Sequence, residues 1–408
     1  MRILVHDYSG HPFQVQLSRW LAQNGHSVFH RYSGSIQTPR GALQRRADDA
    51  PGFDIAALSL PAPLAKYSYF RRRAQERAYG ALLAAETLRL RPDIVISSNA
   101  PPDILPAFQR ASRQVSARFV FWVQDIYAEA IAHLLARRSR VVATLAGAWY
   151  RRVESTAMRA SDAVVAITED FLPLLARWGV ARERFSVIEN WAPLQEMPRR
   201  PKNNAWAATQ GLDGRFCFLY AGTLGLKHDP ALLVALAQAY RSDPEIAVVV
   251  LSEGIGADFL ACQKAELGLA NLILLPFQPF TSMPDVLASA DVLIALLEPE
   301  AGIFSVPSKI LTYLCAGRAL LLSIPAENLG ARTVERVGAG LWASPGDRAG
   351  FLASAHKLRE DAALRAACGE KARHYAENTF DIDRIGARFL EVFATIDREK
   401  AAQARRQR

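Results

Sequence analysis

Two segments in the second half of the chain combine a tight turn with a lysine. Residues 216–230 (FCFLYAGTLGLKHDP) begin as an apolar run, turn at Gly222 and Gly225, and reach Lys227. Glycines let the backbone approach a phosphate closely, and a lysine supplies a point charge for it. A turn between a strand and a helix, with Lys227 in water, explains the segment equally well. This segment alone therefore does not identify a site.

The second segment, residues 305–309 (SVPSK), precedes an apolar run, an order typical of the start of a helix. Free backbone amides and the helix dipole at such a start favour a bound diphosphate. Taken alone, a capped helix with Lys309 in water is the simpler interpretation. Both segments, however, follow predicted strands in the same half of the chain. Together they predict a site for a nucleotide diphosphate.

The elements that position these segments are short apolar strands that alternate with helical patterns, as in βαβ units around a parallel sheet. Residues 193–210 are rich in Pro, Asn and Arg and predict a linker. We therefore expect an α/β protein with two doubly wound domains. The predicted strands are residues 2–6, 27–32, 55–58, 94–97, 119–122, 163–167, 216–220, 247–251, 272–275, 292–296, 319–324 and 340–343.

The composition restricts the class of protein. The chain has 408 residues, a net charge of +9 and 50% hydrophobic residues, which is typical of a globular protein. Its 4 scattered cysteines lack CxxC spacing, which favours reduced thiols over a zinc site or disulfides. No apolar stretch approaches the roughly 20 residues of a membrane-spanning helix, and the N-terminus lacks the pattern of a signal peptide. We therefore expect a cytoplasmic protein.

Asp125 is the candidate for chemistry in the first half of the chain. It follows the predicted strand at residues 119–122, where its side chain could point into a cleft between the two predicted domains. A helix cap for the segment that starts at Ile126 is an equally good interpretation.

No cofactor is expected from the motifs. Asp381 and Asp383 have the spacing of a metal-binding DxD motif, but they directly precede the last predicted helix. A helix cap is therefore the better interpretation, and we expect no essential metal. An NAD-linked enzyme is disfavoured because Ser9-Gly10-His11, and not GxGxxG, follows the first strand.

Several short segments, in their order along the chain, resemble glycosyltransferase family 4, and particularly the colanic-acid type of bacterial sugar transferase that builds surface polysaccharide. They cover most of the chain: FWVQDIY (121–127), AITEDF (166–171), VIENW (187–191), YAGTLGLK (220–227), VPSK (306–309) and YLCAGR (313–318). This family has the GT-B architecture, two Rossmann-like doubly wound parallel-sheet domains that face each other across a cleft.

The resemblance implies a role for each part of the chain. Residues 1–192 would form the acceptor-side domain, residues 193–210 the linker, and residues 211–378 the nucleotide-sugar donor domain. A helix over residues 379–399 would pack back near the N-terminal domain, and residues 400–408 form a basic tail.

The resemblance also implies roles for single residues. Asp125 and Lys227 would be catalytic, with Asp125 positioning the acceptor. The segment 276–279 would border the base, although the Phe277 ring is better explained as part of the core. The expected donor-binding residues are Gly10, Gly222, Thr223, Lys227, Phe277, Glu298, Ser305, Val306, Pro307, Ser308 and Lys309.

The chain departs from the family at a spaced pair of glutamates. Alignment on the turn at residues 315–317 places Phe304 and Thr312 at those positions. No glutamate therefore occupies the positions from which the family's carboxylates contact the ribose and sugar of the donor. Glu298 and Glu300 lie just upstream and are candidates to replace them, although carboxylates on loops commonly face water.

Arginine clusters mark the first half of the chain. Arg71, Arg72 and Arg73 follow the aromatic residues Tyr67, Tyr69 and Phe70, a combination that suits an anionic membrane surface. Such contact would hold the protein at the inner face of the membrane. A solvated arginine-rich face is an equally good interpretation. Nucleic acid is not expected as a partner, because no nucleic-acid-binding module accompanies the charge.

These observations predict a glycosyltransferase of the hexosyl or N-acetylhexosaminyl type. It would move a sugar from a nucleotide diphosphate sugar, UDP-linked, to a hydroxyl of a glycan or lipid-linked acceptor in cell-surface polysaccharide biosynthesis. The resemblance implies retention of the anomeric configuration. The alternatives are a nucleotide-sugar epimerase of the same architecture and a non-catalytic sugar-nucleotide or carbohydrate-binding subunit, which the missing glutamates favour.

Overall fold

The chain consists of two compact units in the computed structural model, which describes residues 1–36, 40–65, 68–136, 140–225, 228–299, 302 and 307–406. Unit 1 comprises Met1–Asn190 and Ile382–Arg408, and unit 2 comprises Trp191–Asp381. Each unit is built on one parallel sheet covered by helices, which confirms the predicted fold class. No helix among the described residues is long and apolar enough to cross a membrane.

The sheet of unit 1 has seven parallel strands in the order β3-β2-β1-β4-β5-β6-β7. Their bounds are β1 Arg2–Asp7, β2 Ser27–Ser33, β3 Phe53–Leu58, β4 Ile94–Ser98, β5 Arg118–Val123, β6 Ala163–Ala166 and β7 Phe185–Val187. The strand order reverses between β1 and β4, where Asp7 pairs with Ser98 in register. Ligands of open α/β sheets bind beyond the carboxyl ends of the strands at such a reversal.

Helices of unit 1 flank this sheet. Those in the first stretch of the chain are α1 Pro12–Gln23, α2 Tyr69–Leu90, α3 Leu105–Gln114, α4 Tyr127–Ala136, α5 Arg140–Arg159 and α6 Leu172–Arg177. Most follow the carboxyl end of a strand, so their N-termini point to the same edge of the sheet as the strand ends.

The sheet of unit 2 has six parallel strands in the order β10-β9-β8-β11-β12-β13. The strands are β8 Phe216–Ala221, β9 Ile246–Leu251, β10 Leu272–Leu275, β11 Val292–Leu296, β12 Ala319–Ser323 and β13 Gly340–Ala343. The helices are α7 Ala205–Thr209, α8 Ala231–Ala239, α9 Ile255–Leu267, α10 Met283–Ala288, α11 Ser308–Ala316, α12 Leu329–Val337, α13 Arg348–Glu360 and α14 Ala362–Thr379. All residues of β8, β9 and β11 are buried, as expected for strands covered on both faces.

The residues predicted as a linker pack onto unit 2. Lys202 Nζ lies 2.5 Å from Asp291 Oδ2. Asn204 caps α7, since its Oδ1 accepts a hydrogen bond of 3.0 Å from the Ala207 amide. This segment is therefore held by an ion pair and by a short capped helix.

The last helix, α15 Ile382–Arg406, returns to unit 1. Its Asp383 Oδ1 accepts a hydrogen bond of 2.6 Å from Trp20 Nε1. The centroid of its Phe389 ring lies 4.9 Å from the centroid of the Trp122 ring. A Cβ at Gly386 would come within 2.3 Å of Trp20, so the close approach of α15 to α1 depends on this glycine. The helix continues through residues 400–406, which the sequence suggested as a tail.

Candidate functional site

The candidate donor site lies at the carboxyl edge of the unit 2 sheet, where β8 and β11 are neighbours. Directly after β8, Gly222 has φ +138°, a conformation that L side chains rarely adopt. A Cβ at this position would also lie only 3.1 Å from Lys309 Nζ. The glycine turn and the start of α11, which the sequence analysis identified separately, are therefore in direct proximity.

The side chain of Lys309 lies over the ring of Tyr220. Its Nζ is 3.7 Å from the ring centroid and donates a hydrogen bond to Tyr220 Oη. Tyr220 Oη in turn donates to the Thr223 carbonyl at 2.8 Å. An ammonium group over an aromatic ring is stabilised by the ring quadrupole. This arrangement holds a cation beside the glycine turn.

The charge state of Lys309 depends on this environment. Loss of hydration on burial lowers the pKa of Lys309 to about 7. The side chain has no carboxylate partner among the contacts described for it, so an anion bound beside it would restore its charge. The site is thus able to bind a phosphate with a cation that titrates near neutral pH.

Tyr313 joins α11 to the end of β8. Its hydroxyl accepts a hydrogen bond of 2.9 Å from the Ala221 amide and donates one of 3.1 Å to the Ala221 carbonyl. Both groups are buried. The two hydrogen bonds fix the distance between the first turns of α11 and the glycine turn.

Three further contacts shape the loop after β8. The Leu224 amide donates to Ser252 Oγ at 3.2 Å, and the Gly225 amide donates to His228 Nδ1 at 3.1 Å. A Cβ at Gly256 would come within 2.4 Å of the Leu224 carbonyl, so the start of α9 packs closely against the loop. The loop after β8 is therefore held in place by the residues that follow β9.

The segment expected to border the base lies at the end of β10. The Phe277 amide donates to Glu253 Oε1 at 3.1 Å, and Gln278 Oε1 accepts a hydrogen bond of 3.2 Å from Trp206 Nε1. Phe277 is only partly buried, so its ring is not a core residue. A partly exposed ring at this edge is able to contact a flat base.

The other expected donor-binding residues divide into two groups. Thr223 is exposed, Glu298 is partly buried just after β11, and Pro307 and Ser308 are the cap and the first residue of α11. Thr312, at one of the missing glutamate positions, donates to the Lys309 carbonyl at 2.8 Å. Lys227, Glu300, Phe304, Ser305 and Val306 lie outside the described residues.

In unit 1, the loop after β1 is organised by Asp7. Its carboxylate accepts hydrogen bonds from the amides of Ser9, Gly10 and His11 at 3.1, 2.9 and 2.5 Å. Gly10 has φ +80°, and a Cβ there would lie 2.7 Å from Leu43. Because these amides donate to Asp7, they are not available to bind an anion. The Gly10 loop instead forms a turn that leads into α1.

Asn99, which the sequence analysis did not identify, connects three loops at this edge of unit 1. Its Nδ2 donates to Ser9 Oγ at 2.7 Å and lies 3.4 Å from His11 Nε2. Its Oδ1 accepts a hydrogen bond of 2.8 Å from Tyr127 Oη. Asn99 has φ +52°, a left-handed conformation that asparagine tolerates better than most residues. The left-handed conformation just after β4 is the feature that marks Asn99 as special, and it is not visible in the sequence.

Asp125 lies near this network, between β5 and α4, and is partly buried. Burial, and secondly the charge of Asp125, raise the pKa of Tyr127 well above its usual value. The first two amides of α4, those of Tyr127 and Ala128, donate to the buried Glu154 at 3.2 and 2.8 Å. Burial raises the pKa of Glu154 to about 8 in spite of these hydrogen bonds.

Among the described residues, no group of three or more His, Cys, Asp or Glu side chains has an arrangement that could hold a metal ion. Of the two carboxylates in the DxD-like pair, Asp383 is the hydrogen-bond acceptor of Trp20.

Comparison with known proteins finds a family model that matches part of the chain. Residues 11–191 match the model of the glycosyl transferase 4-like domain. No curated protein is detectably similar to the chain in sequence.

Solved structures resemble the whole chain. HepE from Anabaena, crystallised in complex with UDP and glucose, is 15% identical with a TM-score of 0.71, covering 97% of this chain and 100% of HepE. Sucrose-phosphate synthase from Thermosynechococcus elongatus is 14% identical with a TM-score of 0.73, covering 98% and 100% of the two chains. WaaG, a glycosyltransferase involved in lipopolysaccharide biosynthesis, is 16% identical with a TM-score of 0.66, covering 96% and 99%.

At this level of identity the structural likeness establishes the fold, and the family match covers residues 11–191, less than half of the chain. The first part of the chain is therefore similar to the glycosyl transferase 4-like domain, and the chain as a whole has the GT-B fold.

Proposed function

We propose that this protein transfers a sugar from a UDP-sugar to a hydroxyl group of a glycan or lipid-linked acceptor, with retention of configuration, in the biosynthesis of cell-surface polysaccharide. The observation that carries the proposal is the position of Lys309 over Tyr220, beside Gly222 and at the start of α11. A partly dehydrated cation, a glycine turn and a helix N-terminus at one sheet edge have the chemistry of a diphosphate site.

The donor is proposed to be UDP-linked because of the ligands of similar structures. HepE was crystallised with UDP, with UDP and glucose, and with UDP-glucose. In our proposal the diphosphate binds Gly222, Thr223, Lys227 and the residues that begin α11, and Phe277 borders the base. The charge of the diphosphate is offset by the two lysines and the amides of α11 without a metal ion.

The acceptor hydroxyl is proposed to contact Asp125, which orients it. In a retaining transfer the bond from the anomeric carbon to the diphosphate oxygen breaks as the acceptor oxygen bonds to that carbon. The hydroxyl proton passes to the leaving diphosphate. Asp125 then acts by positioning the hydroxyl and does not itself have to accept the proton.

A non-catalytic sugar-nucleotide-binding subunit is the second candidate. Thr312, at a position where many family members have a glutamate, uses its hydroxyl within α11. A donor site without that carboxylate still binds a diphosphate through Lys309, but it lacks an anionic contact to the ribose or sugar.

Product analysis tests the proposal. Purified protein is incubated with each of a panel of UDP-sugars and with a lipid-linked or soluble glycan acceptor, and products are identified by mass spectrometry and NMR. A new glycosidic bond of retained configuration is the expected result. An epimerised donor would contradict transfer, and an intact donor that nonetheless binds in calorimetry would favour the binding subunit.

A further inference from the structure

Helix α5 exposes a stripe of large apolar side chains. Val141, Leu145 and Trp149 are four residues apart and lie on one face of the helix, with 69%, 69% and 50% of their surface exposed. At a rise of about 1.5 Å per residue they extend over roughly 12 Å. Scattered exposed apolar residues are common, but a continuous row of this kind usually marks an interaction surface.

The opposite face of α5 is buried, and its packing keeps the apolar stripe exposed to solvent. Ala143, Gly147, Tyr150 and Glu154 are buried there. A Cβ at Gly147 would lie 2.9 Å from the Cβ of Ala132 on α4, so the two helices are in close contact. Rotating α5 to bury the stripe would break this packing and the Glu154 hydrogen bonds to the start of α4.

The charges around the stripe are separated by sign. Arg140 and Arg152, at its two ends, are exposed. The only carboxylates on α4 and α5 are Glu129 and Glu154. Glu154 is buried, and Glu129, whose side chain is 18% exposed, lies 3.5 Å from an Arg151 nitrogen. The surface therefore presents guanidinium groups beside its apolar side chains.

The start of α2 extends this surface. Arg73 Cζ lies 5.6 Å from the centroid of the Trp149 ring, which joins the two helices. Phe70 is 81% exposed, and its neighbour Arg71 is exposed. The carboxylate of Asp103 is 7% exposed and paired with Arg73, so here too the acidic group is withdrawn.

We propose that this surface docks onto an anionic lipid bilayer. It is defined here as the α5 surface and consists of Phe70, Arg71, Arg140, Val141, Leu145, Trp149 and Arg152. Apolar side chains would enter the region between headgroups and acyl chains, while arginines at the rim contact anionic headgroups. A protein partner usually meets a rim of mixed charge, whereas the carboxylates of α4 and α5 are buried or paired with an arginine, so the rim described here is cationic.

The α5 surface refines the sequence-based expectation that centred on the triple arginine. Two of those arginines form ion pairs within unit 1, Arg72 with Glu76 and Arg73 with Asp103. The apolar contribution comes from α5, which the sequence analysis did not select. The inference rests on the proposed function only in that a lipid-linked acceptor would be met at such a membrane.

Vesicle sedimentation tests the docking surface. The full chain is mixed at low salt with vesicles of phosphatidylcholine alone or with added phosphatidylglycerol. The test variant combines Val141→Ser, Leu145→Ser and Trp149→Ser. The matched control combines Ile255→Ser and Phe259→Ser, which remove two exposed apolar side chains from α9 in unit 2. Wild type and control are expected to sediment with the anionic vesicles. The test variant is expected to bind these vesicles at least about tenfold more weakly than wild type.

A second measurement covers the case in which the triple variant does not fold, as judged by circular dichroism. Brominated lipids in anionic vesicles should quench the tryptophan fluorescence of the wild type, and the quenching should fall in the conservative variant Trp149→Phe. Equal quenching in both proteins overturns the proposal.

Further outcomes would also overturn it: no binding of wild type to anionic vesicles at low salt, equal binding to neutral vesicles, or equal losses in the α5 and α9 variants. A dimer that the α5 variant dissociates, without vesicle binding by wild type, would assign the surface to a second copy of the chain. Sugar transfer to a soluble acceptor is measured in parallel, so that failure of docking is distinguished from failure of the proposed function.

Discussion

Lys309 Nζ lies 3.7 Å from the centroid of the Tyr220 ring, so the first turn of α11 and the last residues of β8 share one cation. Tyr313 holds the same two elements together through the backbone of Ala221. A lysine fixed in this way loses little conformational freedom when an anion binds, which favours tight binding.

The first prediction concerns the pH dependence of donor binding. In the protein without bound donor the pKa of Lys309 is about 7, and a bound diphosphate should raise this pKa. Donor binding above pH 7 must therefore take up a proton, and affinity should fall by up to about tenfold per pH unit. Calorimetry in buffers of different ionisation enthalpy measures the uptake directly.

Lys309→Met should abolish both the proton uptake and this pH dependence. The matched control is Lys357→Met, which removes an exposed lysine on α13 and should bind as wild type does. The same slope in wild type and Lys309→Met would show that another group titrates.

The second prediction concerns Lys227. If Lys227 donates a charge-assisted hydrogen bond to the diphosphate, Lys227→Ala should weaken UDP binding by about 1.5 to 3 kcal/mol. The measurement is isothermal calorimetry with UDP at a pH below 7, where Lys309 is charged. Unchanged affinity would remove Lys227 from the donor site.

The third prediction concerns metal dependence. We expect sugar transfer to survive EDTA, because lysines and helix amides can offset the diphosphate charge. Turnover is measured before and after chelation. A loss that magnesium or manganese restores would contradict the proposal of a metal-independent site.

The fourth prediction concerns Glu154 and stability. Burial raises its pKa from 4.5 to about 8, so the folded protein holds a proton that the unfolded chain releases between these values. Its stabilising contribution is complete below pH 4.5 and is lost as the pH rises through 8, with a limiting slope of about 1.4 kcal/mol per pH unit.

Glu154→Gln should therefore flatten the decline in the free energy of unfolding across this range. Urea unfolding of wild type and variant at about pH 5 and about pH 8 measures the difference. Parallel declines in the two proteins would mean that Glu154 does not hold the extra proton.

The fold was largely predictable because most of its strands are uninterrupted apolar runs bounded by turn residues. In β8 and β11 every residue is buried, and such runs bounded by turn residues indicate parallel strands. The strand β7, Phe185–Val187, was missed because three residues at a sheet edge carry too little pattern. The helix α7 was missed because five residues inside a Pro- and Asn-rich segment do not establish a helical period.

The site was less predictable because its contacts join residues that are distant in the sequence. Glycine and lysine near a predicted turn indicated where a phosphate could bind, but Tyr220 and Tyr313 resemble core aromatics until their hydroxyl partners are known. Asn99 connects loops after three strands, and its role depends on a left-handed backbone conformation. Neither feature has a signature in composition or periodicity.

The return of α15 to unit 1 affects the order in which the chain can fold during synthesis. Trp20 and Trp122 emerge from the ribosome early, but their partners Asp383 and Phe389 are made only after all of unit 2. Unit 2 is continuous and can complete its core first, whereas unit 1 must wait with an uncovered aromatic surface. In a nascent chain stalled before Ile382, chaperones should therefore bind residues of unit 1 more than residues of unit 2.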